Sequence, residues 1–232
     1  MTDSPPQPSR LAHAPALPEA HEVAAHLAAR LCHDMIAPAG AIESGLELLN
    51  DPELADMRED ALNLIAASAR KLIDLLAFDR IAFGASQAAD TFATRDLEGL
   101  ARRAFSHVRA ELDWAVTPEA LDKPAARALL NLTQIGGAAL PLGGIAHVSV
   151  DVGADKTTIV VRAEGTRPRL RPEAQDGLAG LPLGPDQLGG HWIQAYYLNR
   201  LVTGVGGSLA AETSEEAVVL RATLPAASAP GA

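Results

Sequence analysis

The chain has 232 residues, 48% of them apolar and 3% aromatic, which provides a core of Ala, Leu, Val and Ile for one large domain or two small ones. Its formal charge of −10 excludes nucleic acid and anionic membrane surfaces as expected partners, since both are bound through clustered Lys and Arg. One cysteine, Cys32, permits no internal disulfide and suits a reducing compartment; with no signal-peptide pattern and no apolar run of about 18 residues, a cytoplasmic location is expected.

Residues 1–18 are rich in Pro and Ala and read as a flexible tail. Residues 19–49 read as one helix. Val23, Leu27, Leu31, Met35, Ile42, Leu46 and Leu49 recur at steps of four, four, four, seven, four and three. Asn50, Asp51 and Pro52 break it. A second helix is expected over 53–84, with a stripe from Leu54 to Phe83 and a stop at Gly84. So short a join makes the two helices antiparallel, each on the order of 45 Å long. Such a hairpin, residues 19–86, covers only part of each stripe. A second copy would complete a two-fold symmetric four-helix bundle, and the alternative is packing on the chain's own C-terminal domain.

That domain, residues 87–232, reads differently. Helices are expected at 94–112 and 118–140. Residues 145–152 and 157–164 alternate apolar and polar about a Gly153-Ala154-Asp155-Lys156 turn, the pattern of a strand hairpin. Residues 166–190, dense in Pro, Gly and Arg, read as an irregular loop. A helix over 190–204 and strands at 207–213 and 217–224 complete an α+β layer with helices on one face of the sheet.

The stretch LCHDMIAPAGAI, residues 31–42, sets a histidine five residues before a proline inside a helix, where proline costs about 3 kcal/mol. On the helical wheel His33 lies about 200° from the apolar stripe, facing away from the core. Its neighbours Ala29, Ala37 and Gly40 are small, with Ser44 beyond, Arg30 one turn earlier and Ile36 at the flank. A neutral imidazole standing clear of its helix is a nucleophile near neutral pH and suits in-line phosphoryl transfer. A cation such as Arg30 or a metal would balance the charge in transit, and Asp34 could hold the second ring nitrogen. His13, His21, His26, His107, His147 and His191 have no comparable sequence setting. His26 and His33 lie seven apart but lack a third ligand, so no metal site is expected. No Ser or Cys nucleophile motif is present.

The spacing His33-Asp34-x-x-x-Pro38, followed by Ala41-Ile42, resembles the phosphoacceptor box of sensor histidine kinases, with Asp in place of the commoner Glu. In that family the proline bends the helix just after the histidine. Residues 94–224 resemble a worn kinase ATPase domain. Asn131 matches the first Asn of the family's N box, but the Mg²⁺-holding Asn falls at Ile135. The adenine-reading Asp falls at Ala163, in Ala163-Glu164-Gly165-Thr166-Arg167. The lid stretch carries Pro168, Pro172, Pro182 and Pro185 and no clear Gly-x-Gly-x-Gly.

A kinase-like dimer that keeps its histidine and loses its nucleotide site is similar to the ChpT-type histidine phosphotransferases. That resemblance implies a dimeric four-helix bundle beside a degenerate ATPase-like α/β sandwich, with no ATP binding. It also implies a phosphorelay: a hybrid-kinase receiver domain gives phosphoryl to His33, which passes it to response-regulator receivers that act in cell-cycle control. His33 and Asp34 are the expected catalytic pair; Arg30, Ile36, Ala37, Gly40 and Ser44 are the expected docking residues. No cofactor of its own is expected, Mg²⁺ coming with the receiver. The rival readings are an active histidine kinase with a divergent ATP site and a non-catalytic dimeric adaptor.

Overall fold

A computed structural model describes residues 17–84, 90–184 and 189–226. Helix α1 (Ala20–Asn50) opens on a reciprocal cap in which the Glu22 carboxylate accepts the Glu19 N–H at 2.8 Å. It ends where Asp51 turns extended and accepts the Glu53 N–H on its side chain. The second helix starts later than expected. Residues Pro52–Met57 form a 3-10 segment broken at Leu54, and α2 runs Arg58–Ala82. The helices meet most closely at Gly45. A Cβ there would stand 2.6 Å from Ile65 Cγ1 and 3.2 Å from the Ala61 carbonyl oxygen, so only glycine allows the approach. Residues 1–16 of the expected tail and the expected boundary at 86/87 lie outside the described residues.

The second domain runs β1 (Thr91–Ala93), α3 (Thr94–Phe105), β2 (Ala110–Val116), β3 (Ala120–Asp122), α4 (Lys123–Ala138), β4 (Gly144–Val152), β5 (Lys156–Gly165), α5 (Pro172–Leu178), α6 (Gly189–Gly204), β6 (Ser208–Thr213) and β7 (Ala217–Pro225). Strands β4 to β7 and α6 lie where the alternation places them. Three expectations are corrected. The helix over 94–112 stops at Phe105, because Ala110–Val116 gains a parallel ladder with β4. The helix over 118–140 begins at Lys123. Ala120–Asp122 pairs with β1, and the Asp122 side chain then caps α4 by accepting the Ala125 N–H at 2.9 Å. The loop at 166–190 contains α5. Pro172 sits in its first turn, where a missing N–H costs nothing, and Gly177 lets α5 lie on the backbone of α6.

The main sheet has the order β2-β4-β5-β7-β6, parallel only between β2 and β4. One face buries Val148, Ile159, Val161, Leu220 and Leu224 beneath Leu129 and Leu132 of α4 and Leu198 of α6. Phe78 and Ala82 of α2 belong to this same core, so the hairpin is partly seated on its own chain. Trp192 and Tyr196 of α6 stack at 4.8 Å and take Val23 and Leu27 of α1. Elsewhere the hairpin is bare: Leu46, Leu62, Ile73 and Leu76 are exposed.

Candidate functional site

Pro38 is buried within α1 and has no N–H to give the Asp34 carbonyl, its i−4 partner. The loosened turn is the one that carries Asp34 and follows His33. The His33 side chain is 86% exposed. Its Nδ1 stands 3.3 Å from Asp34 Oδ1; a carboxylate only accepts, so the pair forms a hydrogen bond in the tautomer with the proton on Nδ1 and the lone pair on Nε2.

Arg30, named with the expected docking residues, is not on the open surface. Its side chain is only 12% exposed. Nε lies 3.6 Å from Asp34 Oδ2, and Nη1 donates to the Gly190 carbonyl at the start of α6. Burial lowers the guanidinium pKa, and the charges of Asp34 and Asp79 act to raise it again. Asp79, buried on α2, has its pKa pushed up to about 6 by burial, against the pull of Arg30. Nothing around Arg30 in the sequence signals this contact, since Gly190 is 160 positions away.

Ile36 is 70% exposed, and Ala37, Gly40 and Ser44 are also exposed, so four of the five expected docking residues share an open surface with His33. A Cβ on Gly40 would meet nothing within 4 Å. Beside this surface is a cleft of about 380 Å³ between the hairpin and the second domain. It is reached by His33, Asp34 and Ala37 of α1, Phe78 of α2 and Ile135 of α4. Lys71, Arg169 and Arg171 also line it, and none has an ion-pair partner among the described residues. His191, half-buried at the cleft, has its pKa lowered by burial first and then by Arg171 and Arg30.

The positions that would serve a nucleotide have other work. Asn131 is fully buried. Its Nδ2 donates to the carbonyls of Ala82 (3.0 Å) and Arg127 (2.9 Å), and its Oδ1 accepts from Gln194 Nε2 at 3.3 Å. Ile135 and Ala163 are buried and apolar. The other histidines have structural settings that the sequence did not reveal. His107 Nε2 lies 2.9 Å from Asp74, which also pairs with Arg103, joining α2 to the end of α3. His147 bridges Asp113 and Glu164 on the open sheet face, and His26 meets Trp192 edge-on. His13 and Pro185 lie outside the described residues. Among the described residues no helix is long and apolar enough to cross a membrane, and no three His, Cys, Asp or Glu side chains cluster as a metal centre.

Residues 94–217 match the family model of the histidine phosphotransferase C-terminal domain. Protein phosphotransferase ChpT of Brucella abortus (strain 2308) is 32% identical over 203 residues, covering 87% of this chain and 95% of that protein. A solved bacterial phosphotransferase superimposes with a TM-score of 0.79 at 33% identity, covering 90% of this chain and 98% of its own. With a two-helix hairpin and an α/β layer on the same chain, the protein belongs to the ChpT-like histidine phosphotransferases, the phosphotransferases of phosphorelays.

Proposed function

We propose that His33 is the phosphoacceptor. The observation that carries this reading is an exposed imidazole whose Nδ1 is held by Asp34 beside a cleft lined by unpaired cations. In the first transfer Nε2 attacks the phosphorus of an aspartyl phosphate on a receiver domain. The N–P bond forms as the P–O bond to the aspartate breaks, and the aspartate leaves as a carboxylate. Asp34 keeps the proton on Nδ1 and balances the positive charge that develops on the ring. The second transfer runs in reverse to another receiver's aspartate. The Mg²⁺ that shields the phosphoryl oxygens travels with the receiver, whose acids hold it.

The receiver docks on Ile36, Ala37, Gly40 and Ser44, where small side chains admit a partner's backbone. Donor and acceptor share one fold, so one surface serves both. The donor is the receiver of a hybrid histidine kinase, and the acceptors are cytoplasmic response regulators of the cell cycle. The protein acts as a homodimer. Leu62, Ile73 and Leu76 fall within about 60° of one another on α2, and with Leu46 they form an apolar face of the kind that two hairpins bury in a bundle. Autophosphorylation from ATP is not part of this activity, because the Asn131 amide is committed to internal bonds.

The test mixes the protein with a phosphorylated receiver and follows phosphohistidine. Wild type becomes labelled within minutes. His33→Ala loses at least a thousandfold in labelling with unchanged melting, because the side chain touches little. A His33→Ala protein that still relays, or wild type that labels from ATP alone, overturns the reading.

A further inference from the structure

Three contacts run in series from the second domain to the imidazole. The Gly190 carbonyl, at the start of α6, accepts from Arg30 Nη1. Arg30 Nε faces Asp34 Oδ2 at 3.6 Å. Asp34 Oδ1 faces His33 Nδ1 at 3.3 Å. Arg30 and Asp34 are one turn apart on α1, and an exposed pair at that spacing is held weakly because both side chains remain free to move. Here the guanidinium is buried and pinned at one end by a carbonyl of another element. A pinned guanidinium fixes the carboxylate it faces, and a fixed carboxylate decides which ring nitrogen keeps the proton. The other charge acting on Arg30 is Asp79 on α2, and His191 on α6 feels Arg30 and Asp34 together with Arg171 ahead of α5 and Glu173 within it. Asp79 adds negative charge on the buried side of the guanidinium, so Asp34 need not abandon the imidazole to neutralise Arg30 alone.

We propose that Arg30 is a positioning residue and that the start of α6 is part of the phosphoacceptor apparatus. The second domain holds Arg30, Arg30 holds Asp34, and Asp34 keeps His33 in its Nδ1–H form with Nε2 facing the partner. The kinetic half of this inference rests on His33 being the phosphoacceptor. The tautomeric half is a property of the resting protein and needs no phosphoryl transfer.

The experiment uses the full chain with ¹⁵N-labelled histidine and reads the His33 tautomer from two-bond ¹H–¹⁵N couplings at pH 8, where the ring is neutral. Phosphotransfer from a phosphorylated receiver is timed in the same samples. Wild type holds the Nδ1–H form. Arg30→Gln and Asp34→Asn each move the ring toward the Nε2–H form and slow transfer about tenfold. Because the two act in series, the double variant is no slower than the slower single variant. Arg30→Lys keeps the charge and the stem but cannot reach Gly190 and Asp34 with one fork, and it gives an intermediate tautomer ratio and rate. It also serves if Arg30→Gln melts too low to measure. An unchanged Nδ1–H signal in Arg30→Gln and Arg30→Lys overturns the proposal, as does a double variant whose loss is the product of the single losses. Absence of all transfer from wild type would sink the phosphoacceptor reading and leave the tautomer result standing.

Discussion

The hairpin and the second domain are built by opposite rules. In the domain, both layers come from one chain, and residues such as Leu129, Leu132, Val161, Leu198 and Leu220 reach zero exposure. In the hairpin, 56 residues of α1 and α2 bury only Pro38, Gly45, Ala61, Ser68, Phe78, Asp79 and Ala82, while Ile73 stays 64% exposed. Of the seven, Phe78 and Ala82 lie in the second domain's core rather than in a core of the hairpin's own. The domain draws most of its core from itself, with Phe78 and Ala82 of α2 added, whereas the hairpin depends on surfaces beyond it, one from its own chain and one, we propose, from a second copy.

Three changes would break or sharpen that contrast, taken from the largest expected effect. Phe78→Ala removes the one large α2 side chain buried in the domain core and should cost about 3 to 5 kcal/mol in denaturant unfolding. A loss under about 1 kcal/mol would mean that hairpin and domain are energetically separate. Ile73→Glu puts a charge on the bare face of α2. It should weaken self-association at least a hundredfold by analytical ultracentrifugation, about 3 kcal/mol, while the circular dichroism of the monomer is unchanged. An unaltered sedimentation profile would remove this face from any interface. Asp79→Asn gives the smallest effect and depends on pH. Burial raises the Asp79 pKa from 3.8 to about 6, so the folded protein favours the protonated acid; its stabilising contribution is full below about pH 4 and is lost as pH rises through 6. The uncharged variant escapes that loss. Its stability relative to wild type should therefore grow by about 2 to 3 kcal/mol between pH 4 and pH 7.5 and then level off. A flat difference would mean that Arg30 cancels the burial.

What the sequence made legible follows the same division between local and distant causes. Strands β4 and β5 were readable because alternation and a four-residue turn lie within one window. The two helices of the hairpin were readable from steps of three and four, but the surfaces their stripes cover were not: Val23 and Leu27 pack on α6, and Leu46 stays exposed. Strand β2 was not, because nothing inside AELDWAV separates it from the helix before it; its partner lies 34 positions on, at β4. Helix α5 was hidden by its own Pro172, which acts as a breaker in a helix interior and as a starter in a first turn. At the site, the angle of His33 could be taken from a wheel, and so could the open run from Ile36 to Ser44. Arg30 could not. A wheel gives direction relative to one axis, and the burial of this guanidinium comes from α6, which folds over it from the far end of the chain.

The three bonds of Asn131 tie α4 to the end of the hairpin and to α6. The amide at 131 could turn to a ligand only by deserting the Ala82 carbonyl. That would strand a buried acceptor at the very joint between stalk and domain, a penalty of about 1 to 3 kcal/mol before any ligand arrived. The side chain at 131 is therefore held in place by folding, as a clasp between the hairpin and the layer it sits on.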